Sequence, residues 1–171
     1  MGVPKMSYEI AINKAWEDLN KAGPGNNLVV KFLGDEYNID LNNKQVIFLS
    51  GNIPAKDYTA IIILHYLAKK IKGLPQVTGE WLTFRELSGV EGYAAAFHKR
   101  VIEPLAKKYG ALPDDTALVV EAFEGVPVMI KSWKADSEFG PDANIYFERN
   151  ILQIFCIEDI IVLAEMIARK K

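Results

Sequence analysis

The chain has 171 residues, half of them hydrophobic and a quarter charged, with a formal net charge of −2. That is the balance of an ordinary globular protein, and the length fits one domain, 1–171, able to bury roughly 70% of its unfolded surface without a metal or disulfide staple. No global positive field draws it to nucleic acid or an anionic membrane, and the single cysteine, Cys156, excludes an internal disulfide, an iron–sulfur cluster and a multi-thiolate zinc site.

A lone thiol suits a reducing cytoplasm. The opening MGVPKMSYEI has neither an apolar signal core nor a twin arginine. The apolar runs at 60–64 and 160–164 are too short to span a bilayer. The expected setting is therefore cytoplasmic, away from membrane.

Ser7 is placed to cap a first helix running to Ala22, with Tyr8, Ile12, Ala15, Trp16, Leu19 and Ala22 on one stripe. Gly23-Pro24-Gly25 stops it. This glycine-rich piece lacks the Gly-Lys-Ser/Thr ending of a phosphate loop, so it reads as a turn. Residues 28–33, 37–41 and 45–49 read as strands, turned at Gly34-Asp35-Glu36 and at Asn42-Asn43, giving a three-stranded antiparallel meander. A second helix is expected from Pro54 to Lys72, apolar nearly all round, with Gly73 just past its end. His65 inside it reads as a hydrogen-bonded core residue, having no second histidine at metal spacing.

Residues 78–84 read as extended and 88–92 as a loop. The next helix shows Tyr93, Phe97, Val101 and Leu105 at four-residue steps. Pro104 lacks the amide that would bond to Arg100, so the helix should kink or restart there. Residues 116–123 suit strand or helix equally; 126–133 read as a strand, 144–147 as a short strand, and 150–155 as a further candidate. Glu158 and Asp159 open a last helix to about Arg169, acidic at its positive end and basic at the other. The fold class is α+β: an antiparallel sheet packed against about four helices.

Two segments hold the candidate chemistry. The first is Glu80, Trp81, Arg85 and Glu86. If 81–85 is extended, Trp81 and Arg85 share one face and the two glutamates the other. Arg85 can then hold a carboxylate or phosphate bidentately, or simply pair with a glutamate beside a core tryptophan. The neighbouring Ser88–Gly92 loop precedes a helix whose free amides accept an anion, but Glu91 adds negative charge there, and a plain helix-entry turn explains it. The second segment runs from Trp133 through Asp136, Glu138 and Asp142 to Asn144. Its oxygens suit a hard cation in type but not in spacing, so a long Asx-rich turn is the more economical account. His98 reads as a surface imidazole without a placed partner, and Cys156 as a buried, inert thiol with no cation beside it.

The two segments together resemble an uncharacterised prokaryotic family, the domain of unknown function 3786. The residues that carry the likeness are His65-Tyr66-Leu67, Gly79 through Leu87, Tyr93, Phe97, Val101 to Gly110 with Pro104-Leu105, Val126-Pro127-Val128, Trp133, Asp136, Glu138-Phe139, Pro141, Ala143-Asn144, Phe147 and Glu158-Asp159, in that order. The chain departs from the pattern at Gly89-Val90, where relatives tend to carry a glycine pair, and after Gly110, where it is shorter. Some relatives are joined to iron–sulfur modules or found near corrinoid-dependent methyl-transfer proteins. The resemblance thus implies a setting in anaerobic one-carbon metabolism and an iron–sulfur or corrinoid protein as partner. It names no cofactor and no reaction.

Three functions remain open on the residues alone. One is a small-molecule or cofactor-binding module walled by Trp81 and Trp133, with Arg85 on an anion and Glu80, Glu86, Asp136, Glu138 and Asn144 as polar contacts. Another is an enzyme using two of these carboxylates as acid and base. The third is an interaction domain. Oligomeric state is not fixed by sequence.

Overall fold

The computed structural model describes residues 5–26, 28–110, 117–133 and 142–170. It is α+β, with two antiparallel four-stranded sheets. The chain falls into two compact units, Met1–Pro75 and Gln76–Lys171.

In the first unit, helix α1 (Lys5–Ala22) packs on α2 (Asp57–Lys72). Helix α1 begins before Ser7, which therefore lies within it rather than at its cap. The meander is β1 (Leu28–Phe32), β2 (Asp35–Asp40) and β3 (Gln45–Phe48), extended by a short β4 (Ile53–Pro54). Pro54 is thus on a strand, and α2 starts only at Asp57. A proline at the sheet edge forfeits no ladder bond there, which a helix-start reading of Pro54 overlooked. The first hairpin turns on Leu33 and Gly34, both at positive φ (49° and 87°), two residues earlier than the acidic pair suggests. That is the primed two-residue turn whose twist matches paired strands. At the second hairpin Asp40 accepts from the Asn43 amide and side chain at 3.1 and 2.8 Å. Ile62, Ile63 and Leu64 of α2, Leu19 of α1 and Phe32 of β1 are almost wholly buried, while His65 is half-buried. Gly73 ends α2 at φ 119°, its amide donating to the Lys69 and Lys70 carbonyls.

The second unit is built on β5 (Trp81–Thr83), β6 (Ala117–Phe123), β7 (Val126–Trp133) and β8 (Asp142–Glu148), ordered β5-β8-β7-β6. Residues 117–123 resolve to strand because they close a hairpin with β7, Phe123 facing Val126 across Glu124-Gly125. Gly125 supplies the positive φ of 83° that such a turn needs. Val128, Ile130, Ile145 and Phe147 point to one face and are buried there. Against β8 lie a π-turn (His98–Ile102) and α4 (Glu103–Tyr109); α3 (Ala94–Phe97) leads into that turn, and α5 (Ile157–Arg169) packs on both the turn and α4.

The π-turn answers the expectation set by Pro104. The helix neither breaks nor restarts. It widens one turn earlier, with the Glu103 amide donating to the His98 carbonyl. An α-helix turns about 100° per residue, so apolar side chains at strict four-residue steps drift by about 40° each. One slack turn cancels much of that drift, and Phe97, Val101 and Leu105 all end up buried. Residues 151–153 form a 3-10 turn, not the further strand expected at 150–155.

Candidate functional site

Strand β5 pairs only residues 146–148 of β8. Below that point β8 continues to Asp142 while the chain leaves the sheet as a 3-10 turn, Phe84–Glu86. The turn forms because Glu86 reaches back to accept from the Thr83 amide and hydroxyl at 3.0 and 2.9 Å. Those two bonds, the amide first, hold the Glu86 carboxyl below its ordinary range. Phe84 is buried against Phe97 of α3, ring on ring at 4.0 Å and 3°.

The stretch of β8 that β5 leaves unpaired is covered by its own side chains. Asp142 Oδ1 accepts from the Ala143 amide and Asn144 Oδ1 from the Ile145 amide, each at 2.8 Å. Beside it opens a pocket of about 370 Å³. Arg85 lines it from the 3-10 turn, Phe97, His98 and Ile102 from the helix, and Trp133 and Asn144 from the strands. A shallower recess continues past Arg85 and His98 to Lys99 and Glu103. Arg85 is exposed and has no ion-pair partner among the described residues. His98 Nδ1 stands 3.7 Å from Glu103 Oε1, both side chains well exposed.

Of the residues singled out from sequence, Arg85, Trp133 and Asn144 meet at this pocket. Trp81 does not join them. It faces Glu148 on β8, whereas Trp133 faces Asp142 through β7, so six residues of strand separate their positions. At about 3.4 Å per residue that is roughly 20 Å, and the two tryptophans cannot wall one cavity. The shared face expected for Trp81 and Arg85 is lost for the same local reason: the strand stops at Thr83. Glu80 forms an exposed ion pair with Arg149. Glu86 is taken up by Thr83. Asp136 and Glu138 lie outside the described residues. Among the described residues no group of three His, Cys, Asp or Glu side chains is arranged to hold a metal ion.

Sequence reasoning missed the helical wall. Phe84, Phe97 and Ile102 all stand in the segments that carry the likeness, but nothing in the sequence shows that the two rings stack or that Ile102 lines a pocket. Cys156 was expected buried and is exposed. It caps α5, where partial desolvation of the thiol, then the Asp159 and Glu158 carboxylates, push its pKa to about 12. Beside it the Tyr93 hydroxyl donates to Glu158 at 2.7 Å, which holds the Glu158 carboxyl down and the Tyr93 phenol up. Arg100 and Glu165 pair at 2.6 Å, tying the π-turn to α5.

An antiparallel sheet packed against helix, with an arginine-bearing pocket where its shortest strand ends, makes the second unit an α+β module. The chain belongs to the family described as domain of unknown function DUF3786, whose model matches residues 13–115 and 111–170. No curated protein and no solved structure matches it. Among the described residues no helix is long and apolar enough to cross a membrane.

Proposed function

We propose that this chain is a small-molecule-binding module whose ligand carries an anionic group. One observation carries the reading: Arg85, Trp133 and Asn144, far apart in sequence, line a single pocket of about 370 Å³. That is within the usual size of ligand sites, which pair an apolar lining with a few placed polar groups. Phe84, Phe97, Ile102 and Trp133 are the lining here, and Arg85 is the guanidinium left to receive a carboxylate or phosphate. The iron–sulfur and corrinoid setting implied by the family resemblance, in a prokaryotic cytoplasm, is the context in which the ligand is sought.

The paired-carboxylate enzyme finds less support. Glu80 is held by Arg149 at the surface, and Glu86 is a helix-turn cap whose carboxyl is held low, the opposite of what a general acid needs.

Native mass spectrometry of protein purified from its own host tests for a retained small molecule. Calorimetric titration with benzoate, a flat carboxylate, then tests the pocket. Arg85→Ala is expected to weaken binding at least about tenfold, as loss of a charge-assisted hydrogen bond does. Equal affinity in wild type, Arg85→Ala and Asn144→Ala would remove the pocket from consideration.

A further inference from the structure

The second sheet has two edges, and they are treated differently. At the β5 edge the strand is three residues long and flanked by the Glu80–Arg149 ion pair. At the β6 edge seven residues run without a neighbouring strand among the described residues. The first four, Ala117-Leu118-Val119-Val120, carry no charge and no proline. Leu118 is 41% exposed on one face and Val119 is 56% exposed on the other. Natural edge strands are normally kept short, charged, bulged or covered. This one has its irregularity only between Glu121 and Phe123, next to the hairpin turn, and leaves its outer half straight and apolar.

We propose that β6 pairs antiparallel with β6 of a second copy of this chain, joining two four-stranded sheets into one. The argument for a second copy lies in the charges. A twofold axis through Val119 sets Val119 against Val119, Leu118 against Val120, and Ala117 against Glu121. Within one chain Ala117 already faces Lys131 on β7. Glu121 of the second copy therefore lies two strands from Lys131, about 9–10 Å across the sheet, with only an alanine methyl between them. Both side chains are long enough to meet over it. Neither Glu121 nor Lys131 has an ion-pair partner among the described residues; Lys131 instead lies over the Tyr146 ring at 5.3 Å. The twofold makes this contact twice. Shifting the register by two residues toward the hairpin, the nearest step that keeps facing side chains on one side of the sheet, sets Glu121 against Val119 and loses the ion pair.

A single strand pair is a small interface, so the expected association is weak, with a dissociation constant of about 10–100 µM. Sedimentation equilibrium from about 10 µM to about 1 mM protein reads it. Val119→Lys, at an exposed position, is expected to raise the constant at least tenfold with an unchanged circular dichroism spectrum. Glu121→Lys is expected to weaken the dimer, and Glu121→Lys with Lys131→Glu to restore it. Val119→Cys in a Cys156→Ser background reports the register. Facing Cβ atoms in an antiparallel pair lie about 4.5–5.5 Å apart, close to disulfide reach, so this variant should cross-link to itself and Glu121→Cys should not. A chain that stays monomeric at 1 mM, or a dimer that survives Val119→Lys, overturns the proposal. A monomer that binds an extended peptide of another protein through β6 also overturns it.

Discussion

The two ends of β8 are built to opposite specifications. At its Glu148 end the polar groups of two short segments, 78–80 and 148–149, hold one another. The Glu148 carboxylate is 5% exposed and accepts from the Thr78 amide, the Thr78 hydroxyl and the Gly79 amide. The Arg149 amide donates to the Glu80 carbonyl, and their side chains pair as well. At its Asp142 end, six residues away, β5 has stopped, the strand satisfies its own amides with Asp142 and Asn144, and a pocket opens beside an arginine. One end is cross-tied and the other is left with capacity. Perturbing the first should therefore damage the fold, and perturbing the second should damage binding alone.

Glu148→Ala is the severest test. It strips two backbone amides and a hydroxyl of their acceptor inside the protein, and about 3 kcal/mol of stability should go with it, read as a lower urea midpoint. A loss under about 0.5 kcal/mol would mean that the closed end is no more structural than the open one.

Next is Thr83→Ala, which removes one of the two bonds from Glu86 that turn the chain out of the sheet. A melting temperature lower by only a few degrees is expected, with a larger proportional loss of benzoate affinity because Arg85 sits in that turn. If stability falls and affinity holds, the turn does not position Arg85.

The pH dependence has a definite sign. Glu86 and Glu158 both have folded pKa values held below the ordinary 4.5, by Thr83 and by Tyr93. Their contributions are present above that value and are lost as the pH falls through the folded values. Glu86→Gln and Glu158→Gln should each flatten the acid limb of a stability–pH curve, and an unchanged limb would dissolve both assignments. In alkali the sign reverses. The Cys156 thiol, raised to about 12, is stabilised in the folded state below its ordinary 9, and that contribution fades as the pH climbs between them. At pH 8 the thiol should be alkylated at least about tenfold slower than free cysteine, despite its exposure.

Arg85→Ala should change stability least, within about 0.5 kcal/mol, since its side chain is exposed and without an ion-pair partner among the described residues. A large loss would move Arg85 from the open end of the comparison to the closed one.

Much of this frame was legible from pattern. Strand β7 and the span of α5 follow from alternation in Val126–Trp133 and from the acidic start and basic end of the last helix. The meander followed from alternating Tyr37, Ile39 and Leu41. Two kinds of information were not in reach. Pairing decides residues such as 117–123, whose own preferences are divided; only β7 alongside makes them a strand. Strand length decides the site. That β5 ends at Thr83 follows from Glu86 reaching back to Thr83, a local bond that a face-sharing argument from Trp81 to Arg85 passes over. The π-turn had left a trace: apolar residues at unbroken steps of four from Tyr93 to Leu105 fit an ordinary helix poorly. The proline drew attention instead.

The widened turn also makes residue number a constraint in its own right between Phe97 and Leu105. Dropping one residue there would let the helix tighten to ordinary winding but would rotate everything before it by about 100° relative to α4. Leu105 would keep its seat only if Phe97 and His98 swung away from Arg85. Arg100 would face a similar choice over Glu165. Substitutions in this stretch can be absorbed one side chain at a time, whereas a single-codon deletion would force the pocket wall and the core to compete for the same helix face.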